Sequence, residues 1–395
     1  MDIKNFQYIL VPNILRNYKC SSSGECCKSK WRIDIDKASY DKTKLFLEKE
    51  KENIDDYMEK SSNGGYVTKF ANGYCKLITE DKLCRVHRDF GWDCLSDTCK
   101  VYPRILKLTS RGMEMSLVFS CASSAKLLLT EEEFKIIKVK KEDLFFMKPH
   151  TVNFMIPENN LPTSPGSRYF ELEDFMIKLT NLKGELGLKL EYMYKILQEY
   201  YESQEIQKFN FEQKLLEFKK YQRSIFDDDK VNDMIIKIVL EKETAGYKSV
   251  ANEYINLFKN LKLKKDLKSS SVHFRENSFS FSLEDLRELK QKWNHRYENV
   301  LKNYLSCFIF NKEFYNYMHY PMFKMLILAV MLKTKILLSI EYLGRDLTDD
   351  ELIFVIKTHD NDFSHGSNFF SDFYSSGKYE MSVDEYIKKL LTVLY

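Results

Sequence analysis

Residues 186–201 read LGLKLEYMYKILQEYY, and in them Leu186, Leu190, Met193, Leu197 and Tyr200 recur at alternating steps of four and three. That spacing follows the turn of an α-helix and sets all five on one face, so the stretch predicts a helix with one apolar side. Phe211, Leu215 and Phe218 repeat the pattern. Thr130 with Glu133, Ser282 with Asp285, Thr348 with Glu351 and Ser382 with Glu385 each put a hydroxyl three residues before a carboxylate. In that arrangement the two side chains satisfy the free amides at a helix start. No stripe runs over the heptads of a long coiled coil, and no fixed repeat is evident. Gly166 to Tyr320 contains no proline, and residues 167–395 are expected to form a helical domain.

Upstream of that domain the character of the chain changes. Pro149, Pro157, Pro162 and Pro165 fall within seventeen residues of polar sequence, which marks residues 149–166 as a linker. Before it, residues 1–148 hold eight of the nine cysteines, all at or before Cys121. Strand signals are confined to this part. WRIDID (31–36) alternates apolar and polar residues, and SLVFS (116–120) is a short apolar run. The expected fold is therefore mostly α: a small cysteine-rich, metal-binding amino-terminal domain with short strands, then a larger helical domain.

Composition narrows the function classes. With 44% hydrophobic and 14% aromatic residues among 395, the chain can bury a large core. Lys and Arg number 61 against 58 Asp and Glu, a net charge of +3, which gives no field to hold a nucleic acid. The opening MDIKNFQYILVPNILRNYKC has no basic segment leading into an apolar run, so a signal peptide is not expected and the cytoplasm is the expected location. The most apolar window, Met322 to Ile340, includes Lys324, Lys333 and Lys335. Charges so deep argue for a buried helix and against a bilayer span.

The cysteines run Cys20, five residues, the adjacent pair Cys26 and Cys27, then Cys75, Cys84, Cys94, Cys99 and Cys121. Neighbouring cysteines bond to each other only with strain, and a reducing cytoplasm does not keep structural disulfides. Thiolates do ligate soft or borderline metals, and four complete a zinc site or a four-iron cluster. Neither paired CxxC knuckles nor a ferredoxin run is present, so spacing leaves zinc and iron–sulfur both open. A cysteine taken singly is also an ordinary small core residue.

In three blocks, YKCSSSGECCKSKWRIDID, YCKLITEDKLCRVHRDFGWDCLSDTCKVYPRI and SLVFSCASSAKLLL, the chain resembles the flagellin lysine-N-methylase family, also called FliB. The likeness rests on Cys20, Cys26, Cys27, Trp31, Cys75, Cys84, Gly91, Leu95, Ser96, Thr98, Cys99, Tyr102, Pro103, Arg104 and Cys121. Cys94 falls outside the pattern, and the segment between Cys20 and the pair is shorter than the family's. Weaker echoes are YENVLKNYL (297–305) and FSHGSNFF around His365, where Ser364 stands in place of an expected acid. The resemblance implies methyl transfer from S-adenosylmethionine to lysine side chains of flagellin. It also implies an iron–sulfur cluster, of the 4Fe-4S kind, on Cys20, Cys26, Cys27, Cys75, Cys84, Cys99 and Cys121, with zinc as the alternative.

The residues themselves show no usual site for that methyl donor. No two glycines are separated by a single residue, which removes the GxGxxG loop of nucleotide-binding folds. The CxxxCxxC triplet associated with radical use of S-adenosylmethionine is also missing. His365 and Arg104 are the candidates for the transfer step, Arg104 as a binder of carboxylate or phosphate. His87, between Cys84 and Cys99, is a further candidate ligand or base, although lone histidines and arginines more often serve structure. Trp31 reads as a lid on the cysteine core, and KNLKLKKDLKSSS as a solvated helix end. Two other functions compete with methyl transfer: a zinc-bound protein-binding module, and an iron–sulfur redox protein.

Overall fold

The computed structural model describes residues 7–21, 23–28, 33–61, 64–140, 152–155, 162–224, 291–315, 317–364 and 382–394. The chain divides into two compact units. One comprises Met1–Val11, Leu15–Ser124 and Ile136–Ile156, the other Pro12–Ile14, Ala125–Lys135 and Pro157–Tyr395. It is mostly helical, with short strands in the amino-terminal part.

The first unit contains three small sheets. Strands β1 (Tyr8–Pro12), β7 (Arg104–Thr109), β8 (Gly112–Leu117), β9 (Ile136–Lys140) and β10 (Val152–Met155) form a five-stranded sheet in the order β10-β7-β8-β1-β9. Hairpin β7–β8 is antiparallel, while β1 runs parallel to β8 and β10 parallel to β7. The second sheet has the order β2 (Asp34–Ile35), β4 (Tyr66–Thr68), β3 (Met58–Lys60), and the third pairs β5 (Phe70–Ala71) with β6 (Tyr74–Cys75). Helices α1 (Lys37–Lys49), α2 (Arg85–Phe90) and α3 (Asp97–Val101) lie between these strands in sequence, and α4 (Ala122–Ala125) follows β8.

Both expected strands shift. Among the described residues of the alternating 31–36 stretch only Asp34–Ile35 is strand; Trp31 and Arg32 lie outside the described residues. The apolar run at 116–120 begins as the end of β8. Its register is set upstream, where Thr109 pairs with Gly112 across a two-residue turn. Glu114, buried behind that turn, accepts hydrogen bonds from Arg111 Nε at 2.7 Å and Thr109 Oγ1 at 2.8 Å, as a buried carboxylate requires.

The second unit holds α5 (Tyr169–Asn181), α6 (Leu186–Tyr201), α7 (Phe211–Phe218), α8 (His295–Phe310), α9 (His319–Leu343), α10 (Asp349–Ser364) and α11 (Val383–Leu394). All five residues of the opening stripe are buried on α6, each such apolar side chain contributing about 1.5–3 kcal/mol. Its other faces are covered too. Tyr194 Oη and Gln198 Nε2 donate to Asp384 at 2.8 and 3.1 Å, and Tyr192 Oη donates to the Lys214 carbonyl at 2.8 Å.

Helix α9 carries the apolar window. Lys333 and Lys335 are buried in it, Lys333 donating to the Leu394 carbonyl at 3.1 Å, and Lys324 pairs with Glu313 at 3.2 Å. Among the described residues no helix is long and apolar enough to cross a membrane.

Two of the four helix starts are realised as reciprocal pairs. Thr348 N–H donates to Glu351 at 2.8 Å while Glu351 N–H donates to Thr348 Oγ1 at 3.3 Å, and Ser382 with Glu385 repeats this geometry. Thr348→Ala is expected to cost about 1 kcal/mol, read as a lower denaturation midpoint. An unchanged midpoint would contradict the pairing. Ser282 and Asp285 lie outside the described residues.

Thr130 with Glu133 starts no helix, which corrects the sequence expectation. Residues 130–135 have their backbone groups taken by asparagine amides from distant positions. Asn299 and Asn303 donate to the Thr130 carbonyl, Asn13 bridges the Glu133 carbonyl and Lys135 N–H, and Asn181 bridges both backbone groups of Phe134. With those groups satisfied by side chains, the segment gains nothing from coiling.

Candidate metal centre

The geometry around the cysteines starts at Gly24. Its φ is +68°, and a Cβ there would lie 1.9 Å from the Lys82 carbonyl oxygen and 3.2 Å from Ile78 Cδ1. Only glycine lets the 24–28 turn, closed by Cys27 N–H donating to the Gly24 carbonyl at 2.9 Å, rest directly on residues 78–82.

Those residues are themselves a tight reversal. Thr79 N–H donates to the Leu83 carbonyl at 2.8 Å, Leu83 N–H returns to Thr79 Oγ1 at 3.1 Å, and Ile78 bridges to Cys84. Cys75, at the end of β6, and Cys84, at the start of α2, are thereby brought back towards each other. Helix α2 is anchored by Arg85, whose two terminal nitrogens each reach a Glu52 oxygen at 2.7 Å, the bidentate geometry that fixes orientation as well as contact.

Cys99 arrives by a third device. Ser96 caps α3 by accepting from Cys99 N–H at 3.2 Å, and Thr98 Oγ1 ties the helix to the Asp34 carbonyl at 3.2 Å. Asp36, which caps α1 through Ser39 N–H at 2.9 Å, also accepts from Asp97 N–H at 3.2 Å. The Leu-Ser-x-Thr-Cys pattern thus has a local reason: its hydroxyls hold the turn that presents the thiol.

Cys27 and Cys75 belong to an apolar core with Ile33, Ile35, Phe46, Leu47, Leu77, Val86 and Leu95, and Cys84, Cys94 and Cys99 pack against it. Within it Cys27 hydrogen-bonds both Cys26 and Cys84, which pushes its own thiol far up. The same bonds hold Cys26 below the usual thiol range and Cys84 at about 7, the latter helped by the His87 and Val86 amides and opposed by burial. Burial raises Cys75 to about 11 and Cys99 to about 12, and both feel the charges of Cys84 and Cys26.

Five of the seven thiols named from the sequence therefore share one neighbourhood. Cys20 and Cys121 gather instead around Tyr18 and Arg104. Tyr18 Oη lies 3.8 Å from Cys121 Sγ, and the Arg104 guanidinium stands 4.9 Å from the centre of the Tyr18 ring. Arg104 is thus placed against a phenol and two thiols, and burial lowers its pKa. His87 is exposed and reaches Cys84 through its backbone amide. His365 lies outside the described residues. Gly24 and Tyr18 were missed in the sequence, although a glycine two residues before a cysteine pair is a signal that could have been read.

None of the nine cysteines is in a disulfide. Among the described residues no group of three or more His, Cys, Asp or Glu side chains is placed to hold a metal ion. Cys26 and Cys84 each bond Cys27 and sense one another as charges. Thiols are donors of the kind a soft ion or cluster takes, and here Cys27, Cys75, Cys84 and Cys99 pack on one apolar core while Cys26 is bonded to Cys27.

No family model and no solved structure matches the chain. Over 141 residues, 33% of this chain, it is 29% identical to the flagellar biosynthetic protein FliU of Salmonella muenchen and covers 82% of that protein. It is 27% identical over 141 residues to a lysine-N-methylase of Salmonella typhimurium, and 27% over 140 residues to one of Salmonella choleraesuis. The chain is similar to proteins named lysine-N-methylase. It spans 34% of the length of each of these two methylases, so the likeness to them is that of one segment of a longer protein.

Proposed function

We propose that the chain is a protein-lysine N-methyltransferase acting on flagellin before export, with S-adenosylmethionine as co-substrate and an iron–sulfur cluster held on thiols drawn from Cys26, Cys27, Cys75, Cys84 and Cys99. The observation that carries this reading is the convergence of Cys27, Cys75, Cys84 and Cys99 on one core, with Cys26 bonded to Cys27, in a chain whose relatives include proteins named lysine-N-methylase. A cluster there would be held by thiolates, and Cys84, with its pKa at about 7, is the donor nearest to that state at neutral pH. Bound in place, the cluster would cross-link the 24–28 turn, the 75–84 reversal and α3, which local hydrogen bonds otherwise hold singly.

The co-substrate supplies an electrophilic methyl group. The accepting lysine must present a lone pair, and its free pKa of about 10.4 keeps it protonated in water. The protein must therefore desolvate that amine or set a cation or base beside it.

A test uses chain purified without oxygen, flagellin and S-adenosylmethionine. Flagellin is expected to gain mass in steps of one methyl group at lysines. An unchanged mass with cluster-replete protein would overturn the activity.

A second reading keeps the thiols and makes them a structural zinc site in a protein-binding module. It is favoured by the tight reversal that separates Cys75 from Cys84, since structural zinc ligands commonly flank short turns. One zinc per chain, without iron or sulfide, would select it.

A further inference from the structure

A pocket of about 470 Å³ opens in the second unit, where the start of α5 meets the start of α7. Its apolar wall is aromatic: Phe175 and Phe211 are buried, Phe170 and Phe209 half-buried. Arg168 fixes its shape, donating from Nη1 to the Ile206 and Phe209 carbonyls at 2.7 Å each and from Nε to Glu171 at 2.8 Å. The pocket is thus built before a ligand arrives, which lowers the cost of binding. Its charges do not balance. Arg168 is matched to Glu171, and Lys208, also on the wall, to Glu205 at 2.6 Å. The two remaining carboxylates, Asp174 and Glu212, share the single ammonium of Lys178 at 2.8 and 2.7 Å. One negative charge is left over beside four phenyl rings.

We propose that this pocket is a binding site for a lysine side chain presented by a partner protein. An ammonium on a four-carbon stem answers both features of the wall. The stem covers ring surface, as lysine stems do on apolar faces, and the ammonium meets the excess carboxylate charge and rings that attract cations. Two of these rings already take such contacts within the chain, Phe211 with the Arg168 guanidinium at 5.3 Å and Phe209 with the Lys214 ammonium at 5.8 Å. An acidic ligand is repelled by the same charge. A guanidinium fits less well, because it is held best by a carboxylate with both oxygens open. Arg168 engages both oxygens of Glu171, and Lys178 takes one each from Asp174 and Glu212. The inference concerns binding alone and does not depend on the methyl-transfer reading.

The full chain would be titrated, by ligand-observed NMR, with Nα-acetyl-lysine methylamide and with its norleucine analogue, which keeps the stem and lacks the ammonium. The lysine probe is expected to bind with a Kd on the order of 1 mM, and the norleucine probe about fivefold more weakly. Glu212→Gln removes the excess charge and is expected to weaken the lysine probe about threefold. Lys178→Gln leaves a second carboxylate unmatched and is expected to tighten it about threefold. Both side chains are exposed, so both variants are expected to keep the denaturation midpoint of the parent chain. Equal binding of the two probes, no binding of either, or a shift of both variants in the same direction would overturn the proposal.

Discussion

Replacing Cys27 with alanine is expected to lower the metal content of the anaerobically purified chain about tenfold, and the melting temperature of the first unit with it. Cys27 is the shared partner of two other thiols. Its removal takes from Cys26 and Cys84 the hydrogen bond that lowers each of them, and it leaves a gap in the core that Cys27 shares with Leu77 and Val86. Cys307→Ala is the matched control. Cys307 sits on α8 in the second unit, fully buried, so metal content should not change. Its complete burial carries a separate stability cost, because deleting the sulfur opens a small void costing about 1 kcal/mol. Equal loss of metal from both variants would show that the thiols do not form the centre described.

Gly24→Ala is expected to be the most disruptive single change outside the cysteines. The added Cβ would sit 1.9 Å from a backbone oxygen of Lys82, a contact that no side-chain movement relieves, and the φ of +68° is one an alanine adopts only with strain. The 24–28 turn must lift from residues 78–82, carrying Cys26 and Cys27 away from Cys84, at a cost of about 3 kcal/mol or more. Gly64 separates the two effects. Its φ is +85°, yet a Cβ there would meet nothing within 4 Å, so Gly64→Ala should show backbone strain alone, about 1 kcal/mol. Denaturant titrations of both variants, with thiol accessibility of Cys27 as a second readout, check this. Similar losses from the two substitutions would mean that the Gly24 contact does not hold the thiols together.

What the sequence revealed follows from the range of the interactions concerned. The α6 stripe and the pairs at Thr348 and Ser382 are patterns within a few residues, and helices form on that scale. The same local pattern misled at Thr130, because the amides that decide the outcome come from Asn13, Asn181, Asn299 and Asn303, far away along the chain. The cysteine order was plain, but its division was not. Which thiols meet depends on Gly24 touching Lys82, and on Tyr18 reaching Cys121 across 103 residues. Cys94 shows the limit of order as a guide. It stands outside the family spacing, yet it packs against the same apolar core as Cys27 and Cys75.

Iron, acid-labile sulfide and zinc, measured per chain on protein purified without oxygen, test the central claim that these thiols bind a cluster. The account predicts iron and sulfide in equal amounts, at about four of each per chain for a four-iron cluster, both lost together in Cys27→Ala. Protein that is folded, with all nine thiols titratable and neither iron nor zinc bound, would contradict it.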